Sequence, residues 1–276
     1  SSYQGESSRT QLEAIPACVG RTVHWAQITQ NTIDVESTPV DTPVLMTSEG
    51  FSPLFSMVVP PAMTGEKMVR KESFWSEKLG QQVMNPSLSI VDDGLLPGGM
   101  SSGARDGEGV PRRQQTLVEN GNMIGMLWST RDAAQQVAEG RIEQATSTGS
   151  ASSGGHQAPP STGCTEVFLT SNAGTRDWDE LLAAMDDGYV VNSVMGAHTA
   201  NPSSGDFSVT TSSILKVEQG EVVGALKQAG LSGNLARALN GEVLLGDDVR
   251  RQGSYSSGSM HLADVVLMNG LRVNPA

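Results

Sequence analysis

The chain has 276 residues, of which 30 are acidic and 18 basic, giving a formal net charge of −12. That length allows one large or two small domains, and that charge repels phosphate backbones, which argues against nucleic acid as a partner. No apolar run reaches the roughly 20 residues that span a bilayer, and no charged-then-apolar leader opens the chain, so a soluble cytoplasmic protein without membrane contact is expected.

Residues 1–9 (SSYQGESSR) are polar and expected to fray. A helix is predicted over 10–30, with Pro16 in its first turn and an apolar stripe of Ile15, Val19, Val23, Ala26 and Ile28. Residues 41–46 (DTPVLM) read as a strand. Residues 52–63 could form a short helix, but Pro53, Pro60 and Pro61 are expected to break it. Three two-residue turns predict hairpins: Asn120-Gly121 within 117–127, Gln219-Gly220 within 217–226, and Asn269-Gly270 within 263–273. Helices are predicted at 130–144, with Gly140 a weak spot, and at 177–187, with Gly188 as C-cap. A further short helix is predicted at 232–239. Residues 147–163 (STGSASSGGHQAPPSTG) read as a mobile loop before the strand at 165–169. These signals predict an α+β fold, mainly antiparallel β, with several hairpins in a partly open barrel-like sheet and a few peripheral helices.

Few residues advertise chemistry. His24, His156, His198 and His261 show no helical zinc spacing, and the two cysteines, Cys18 and Cys164, form no ligand motif. His156 lies eight residues before Cys164, which makes a weak case for a thiol nucleophile. No phosphate-cradling glycine pattern occurs. The carboxylate clusters are Asp92-Asp93 and the Asp106–Glu108 turn; one reading makes them an acid–base site, the other a set of turn-fixing side chains beside Gly and Pro.

An ordered series of segments is more telling: LFSMVVPPAMTGEKMVRKESFWSEKLGQQV at 54–83, VDDGLLPGG at 91–99, RDGEGVPRR at 105–113, LVENGNM at 117–123 and GYVVNSVMGAHTANPSSGDFS at 188–208. Together these resemble the C-terminal half of the TldD/PmbA family. The resemblance implies that residues 1–40 are a helical remnant or linker of an N-terminal α+β domain, and that 41–276 form the C-terminal domain. The catalytic TldD branch carries a His-Glu-x-x-x-His metal motif before its Lys-Leu-Gly-like segment. Counting back from Lys78-Leu79-Gly80, the matching positions hold Ser56, Met57 and Pro61, none of which offers an imidazole or a carboxylate. That branch also takes a Cys ligand near the C terminus, where residues 251–259 (RQGSYSSGS) have none. The chain thus resembles the metal-free TldE (PmbA) branch. The resemblance implies a non-catalytic subunit of a heteromeric zinc metallopeptidase that degrades or trims unfolded peptides, including leader peptides. The zinc would sit in a TldD-like partner, with no cofactor in this chain. Asp93, Asp106, Glu108, Asn201 and Phe207 are then candidates for a cleft or subunit interface. The alternatives are a stand-alone peptide-binding or regulatory module, or a metal-free enzyme of altered chemistry in natural-product biosynthesis.

Overall fold

The structure, a computed structural model, describes residues 15–35, 41–153, 157–253 and 258–275. The polar opening residues and His156 lie outside this set. Helix α1 spans Ile15–Ile28, strand β1 Val44–Met46, helix α2 Ser48–Ala62 and helix α3 Gly65–Val69. Then come β2 (Leu88–Asp93), β3 (Gln114–Glu119), β4 (Asn122–Met123), α4 (Thr130–Ala138), β5 (Ala151–Ser152), β6 (Ser161–Thr162), β7 (Glu166–Ser171) and α5 (Trp178–Met185). The remainder is β8 (Gly188–Met195), a 3-10 turn at Ala197–Thr199, β9 (Asp206–Glu218), β10 (Glu221–Leu226), β11 (Ala229–Asn234), α6 (Leu235–Asn240), β12 (Val243–Leu245), β13 (Arg250–Gly253), β14 (Ser259–Leu262), β15 (Val265–Leu267) and β16 (Leu271–Pro275).

An eight-stranded sheet runs β12-β15-β1-β8-β9-β11-β16, with β10 paired to β9, and a six-stranded sheet runs β13-β14-β7-β2-β3-β4. Most pairings are antiparallel, so the α+β, mainly antiparallel class holds; β1–β8 and β14–β7 are parallel. Neither sheet closes into a barrel among the described residues.

Helix α2 positions everything else. Its N-cap is Thr47, whose hydroxyl accepts the Gly50 N–H at 3.3 Å. The helix packs on β1 and β8 of one sheet and on β13 and β14 of the other. Contrary to the expectation from its prolines, it runs unbroken through Pro53, Pro60 and Pro61. An interior proline costs a helix about 3 kcal/mol, while full burial of a Val, Leu or Phe contributes about 1.5–3 kcal/mol. Phe51, Leu54, Phe55, Val58 and Val59 are all fully buried, and Pro60 and Pro61 fall in the last turn, so burial wins. The helix tightens as it ends, with the Met63 N–H donating to Pro60 O at 3.2 Å.

Alternation in the eight-stranded sheet fills both its faces. Val44, Met46, Val191 and Leu267 join the α2 side, while Leu45, Val190, Leu215 and Val266 meet Trp25 of α1 and Leu181, Leu182 and Met185 of α5. In α1 it is Trp25 that is buried; the predicted stripe of Ile15, Val19 and Val23 is exposed.

Two of the three predicted hairpins form, at Asn120-Gly121 between β3 and β4 and at Gln219-Gly220 between β9 and β10. All four turn residues have positive φ, the conformation that two-residue hairpins need. The third does not form: β15 pairs with β1 and β12, while β16 pairs with β11 across the sheet. The turn at Asn269-Gly270 exists, but β1 takes the place beside β15 that β16 would need. Helix α4 stops at Ala138, short of Gly140. Helix α5 starts from a complete capping box at Asp177 and Glu180 and ends at Asp186, not Gly188. Gly188 instead opens β8, where a Cβ would lie 2.4 Å from Pro43 O. The residues predicted to start the last helix, Ser232–Asn234, belong to β11. No helix among the described residues is long and apolar enough to cross a membrane.

Candidate functional site

The positions that stand for a metal motif share one helix but not one environment. Ser56 is fully buried and its Oγ donates to Pro53 O at 3.2 Å. Met57 is half-buried. Pro61 lines a cleft of about 280 Å³ at the C-terminal end of α2, together with Pro60, Thr64, Glu66, Thr162 and Cys164. Strands β13 and β14, which flank the second segment expected to lack a ligand, pack directly on α2. Residues 254–257 of that segment lie outside the described set. The described ends of that segment thus lie against the helix that carries Ser56, Met57 and Pro61.

Zinc requires several nitrogen, sulfur or carboxylate donors on one point. In the cleft, Cys164 is the sole soft donor, and Glu66 is turned to Arg70 at 3.0 Å. Among the described residues no three His, Cys, Asp or Glu side chains gather as a metal site would need. The described residues of this cleft do not fit a zinc ion.

The acidic candidates are held by backbone. Asp93 Oδ1 accepts the Leu95 N–H at 2.9 Å, and its Oδ2 accepts Gln114 Nε2 at 3.1 Å. Its neighbour Asp92 points to the opposite, buried face of β2, so the pair does not converge. Asp106, buried, accepts the N–H groups of Glu108 and Val110 at 2.9 Å and of Ala151 at 3.0 Å. Glu108 accepts the Thr130 and Arg131 N–H groups at 2.5 and 3.0 Å, which places its charge on the N-terminus of α4. The Asn201 side chain accepts the Ser203 N–H at 2.9 Å in a turn, and Phe207 lies in the main core. These residues are not brought together in one cavity.

Sequence reasoning passed over a buried polar pair. On one face of the six-stranded sheet, Glu166 of β7 and His261 of β14 meet at 2.8 Å with the Glu166 side chain fully buried. The imidazole stacks on Phe168, centroids 4.1 Å apart. Burial pushes the Glu166 carboxyl up, but the bond from His261, the Ser101 N–H and the charges of His261 and Arg251 outweigh it and hold the group below its ordinary value. The two residues are 95 positions apart, so no local spacing could have announced them. Asp92 goes the other way: burial pushes it up despite bonds from Thr165 and Glu166. His24 sits on α1 and His198 in the 3-10 turn, both exposed.

Residues 39–269 match the family model of the PmbA/TldA metallopeptidase C-terminal domain. An uncharacterized protein of Methanocaldococcus jannaschii is 29% identical over 218 residues, covering 79% of this chain and 48% of that one. A Thermotoga maritima protein described as a modulator of a DNA gyrase superposes with a TM-score of 0.80 at 30% identity, over 97% of this chain and 57% of that one. TldE from Thermococcus kodakarensis superposes with a TM-score of 0.80 at 24% identity, over 94% of this chain and 55% of its own, which shows a shared fold. The chain thus spans about half the length of these relatives.

Proposed function

We propose, from the premise that this chain belongs to the PmbA/TldA metallopeptidase family, that it serves as a TldE-like, non-catalytic subunit of a two-chain zinc peptidase. The observation that carries this reading is the set Ser56, Met57 and Pro61 at the metal-motif positions of α2. Helix α2 is continuous through them, so the replacement is one of side chains and not of backbone. Ser56 is sealed in the core, where an imidazole has neither room nor access to an ion. The likeness in fold to a protein called TldE agrees with this branch.

In this reading a TldD-like partner supplies zinc, its His-Glu-x-x-x-His helix and the Cys ligand. This chain completes the chamber in which unfolded peptides, leader peptides among them, are cut. The complex works in the cytoplasm. Substrate binds extended, through main-chain hydrogen bonds, which makes recognition tolerant of sequence.

The test is co-expression with a His-Glu-x-x-x-His-bearing homologue from the same source, followed by size exclusion, zinc analysis and cleavage of an unfolded peptide. The expected result is a co-eluting complex whose activity needs both chains and whose zinc resides in the partner. Stoichiometric zinc and peptidase activity in this chain alone overturn the reading, as does a partner that never associates with it.

A further inference from the structure

A cavity of about 440 Å³ lies at the N-terminal end of α2, far along the helix from Pro61, between α1 and the eight-stranded sheet. Its volume falls in the range of small-ligand sites. The apolar wall is built by Trp25 of α1 and Trp178 of α5, which meet edge-to-face at 6.4 Å, together with Leu181.

The polar wall is incompletely satisfied. Asn192 is only 3% exposed. Its Oδ1 accepts the Thr47 hydroxyl at 3.0 Å, while its amide nitrogen has no partner among the described residues. Asn192 lines the cavity, so this amide is open to an acceptor on a ligand. Arg176 lines the same cavity and its guanidinium has no carboxylate or carbonyl partner among the described residues. Arg250 is already engaged, with Asp248 at 2.5 Å. Asp264 uses one oxygen to accept the Ser48 N–H at 2.8 Å. Burial raises the Asp264 carboxyl's pKa, the Ser48 bond and Arg250 lower it, and the nearby charges of Asp248 and Asp247 raise it again, with a net rise. The cavity thus sets Arg21, Arg176 and Arg250 against Asp247, Asp248 and Asp264, with His24 and an aromatic wall beside them, so that both signs of charge face its space.

We infer that this cavity binds a small zwitterion with an apolar side chain, a free α-amino acid or a short peptide with free ends. The ligand carboxylate pairs with Arg176 and the Asn192 amide. Its ammonium goes to Asp264 and Asp247, and its side chain lies against Trp25, Trp178 and Leu181. The site is distinct from the cleft at Pro61 and does not rest on the subunit reading, because binding is measured on this chain without a partner.

The experiment is isothermal titration calorimetry of the whole chain with L-leucine and with L-leucyl-L-leucine. Parallel titrations use the N-acetylated dipeptide and the dipeptide amide. One of the two free zwitterions is expected to bind with one site per chain, and which is tighter tells an amino-acid site from a peptide site. Blocking either end is expected to weaken binding about tenfold or more. Arg176→Gln should weaken the free dipeptide but leave the amide unaffected; Asp264→Asn should weaken the free dipeptide but leave the acetylated form unaffected. Asn at 264 keeps an acceptor for the Ser48 N–H, and Arg176→Gln alters a half-buried side chain, so both are expected to fold, as far-UV circular dichroism will verify. No binding of either zwitterion at millimolar concentration overturns the inference. So does equal binding of the blocked dipeptides, or unchanged binding in a folded Arg176→Gln variant.

Discussion

At the scale of single residues, the buried Glu166–His261 pair joins two strands and a loop. Glu166 takes the His261 ring nitrogen with one oxygen and the Ser101 N–H at 2.7 Å with the other. Its carboxyl titrates below its ordinary value in the folded chain, so folding favours the ionised form. That contribution is complete above the ordinary pKa of 4.5 and is lost as pH falls through the lower folded value. Glu166→Gln is therefore expected to cost about 1–3 kcal/mol at pH 7, read by urea denaturation. The gap to the parent should narrow as pH falls below the ordinary carboxylate range. A gap that stays constant down to acid pH would mean that charge plays no part. The acids at Asp93 and Asp106 were legible as carboxylate-rich turns, because Asp beside Gly and Pro bonds neighbouring backbone, whereas Glu108 reaches the start of α4. Glu166 was not, since its partner is brought by the fold.

At the scale of elements, α2 and the hairpins behave differently. The Asn120-Gly121 turn is local: Gly121 has φ of 77°, and a Cβ there would lie 2.5 Å from Met84 O. Gly121→Ala is expected to destabilise by about 1–3 kcal/mol, seen as a lower melting temperature, from strain and clash together. Helix α2 is not local, since its prolines oppose it and its burial sustains it. Restoring a ligand there must contend with the same packing. Ser56→His inserts a ring where there is no exposure, and is expected to cost about 1–3 kcal/mol by overpacking without conferring zinc binding. Thermal denaturation with zinc analysis checks both parts; a fully stable, zinc-loaded variant would show that the position is more open than its burial indicates.

At the scale of the whole molecule, one core unites both sheets. Phe55 of α2, Val191 and Leu267 of the larger sheet, and Met260 and Ile90 of the smaller sheet belong to the same buried cluster. Phe55→Ala is expected to cost about 3–5 kcal/mol and to lower the stability of both sheets together. Far-UV circular dichroism and tryptophan fluorescence should then give coincident transitions; two separated transitions would show that the sheets unfold independently. The sequence by itself determined what depends on a few neighbouring residues. Those are the positive-φ hairpin turns at 120–121 and 219–220, the helix that follows Asp177, and the ordered segments that carry Ser56, Met57 and Pro61. Tertiary structure alone decided that α2 runs through three prolines, and that β15 and β16 part company beyond Gly270. It alone decided too that Glu166 finds His261, and that Arg176, Asn192 and Asp264 share a cavity. Those outcomes are set by burial and strand pairing summed over residues far apart in the chain, and such sums leave no periodic or spaced trace in the sequence.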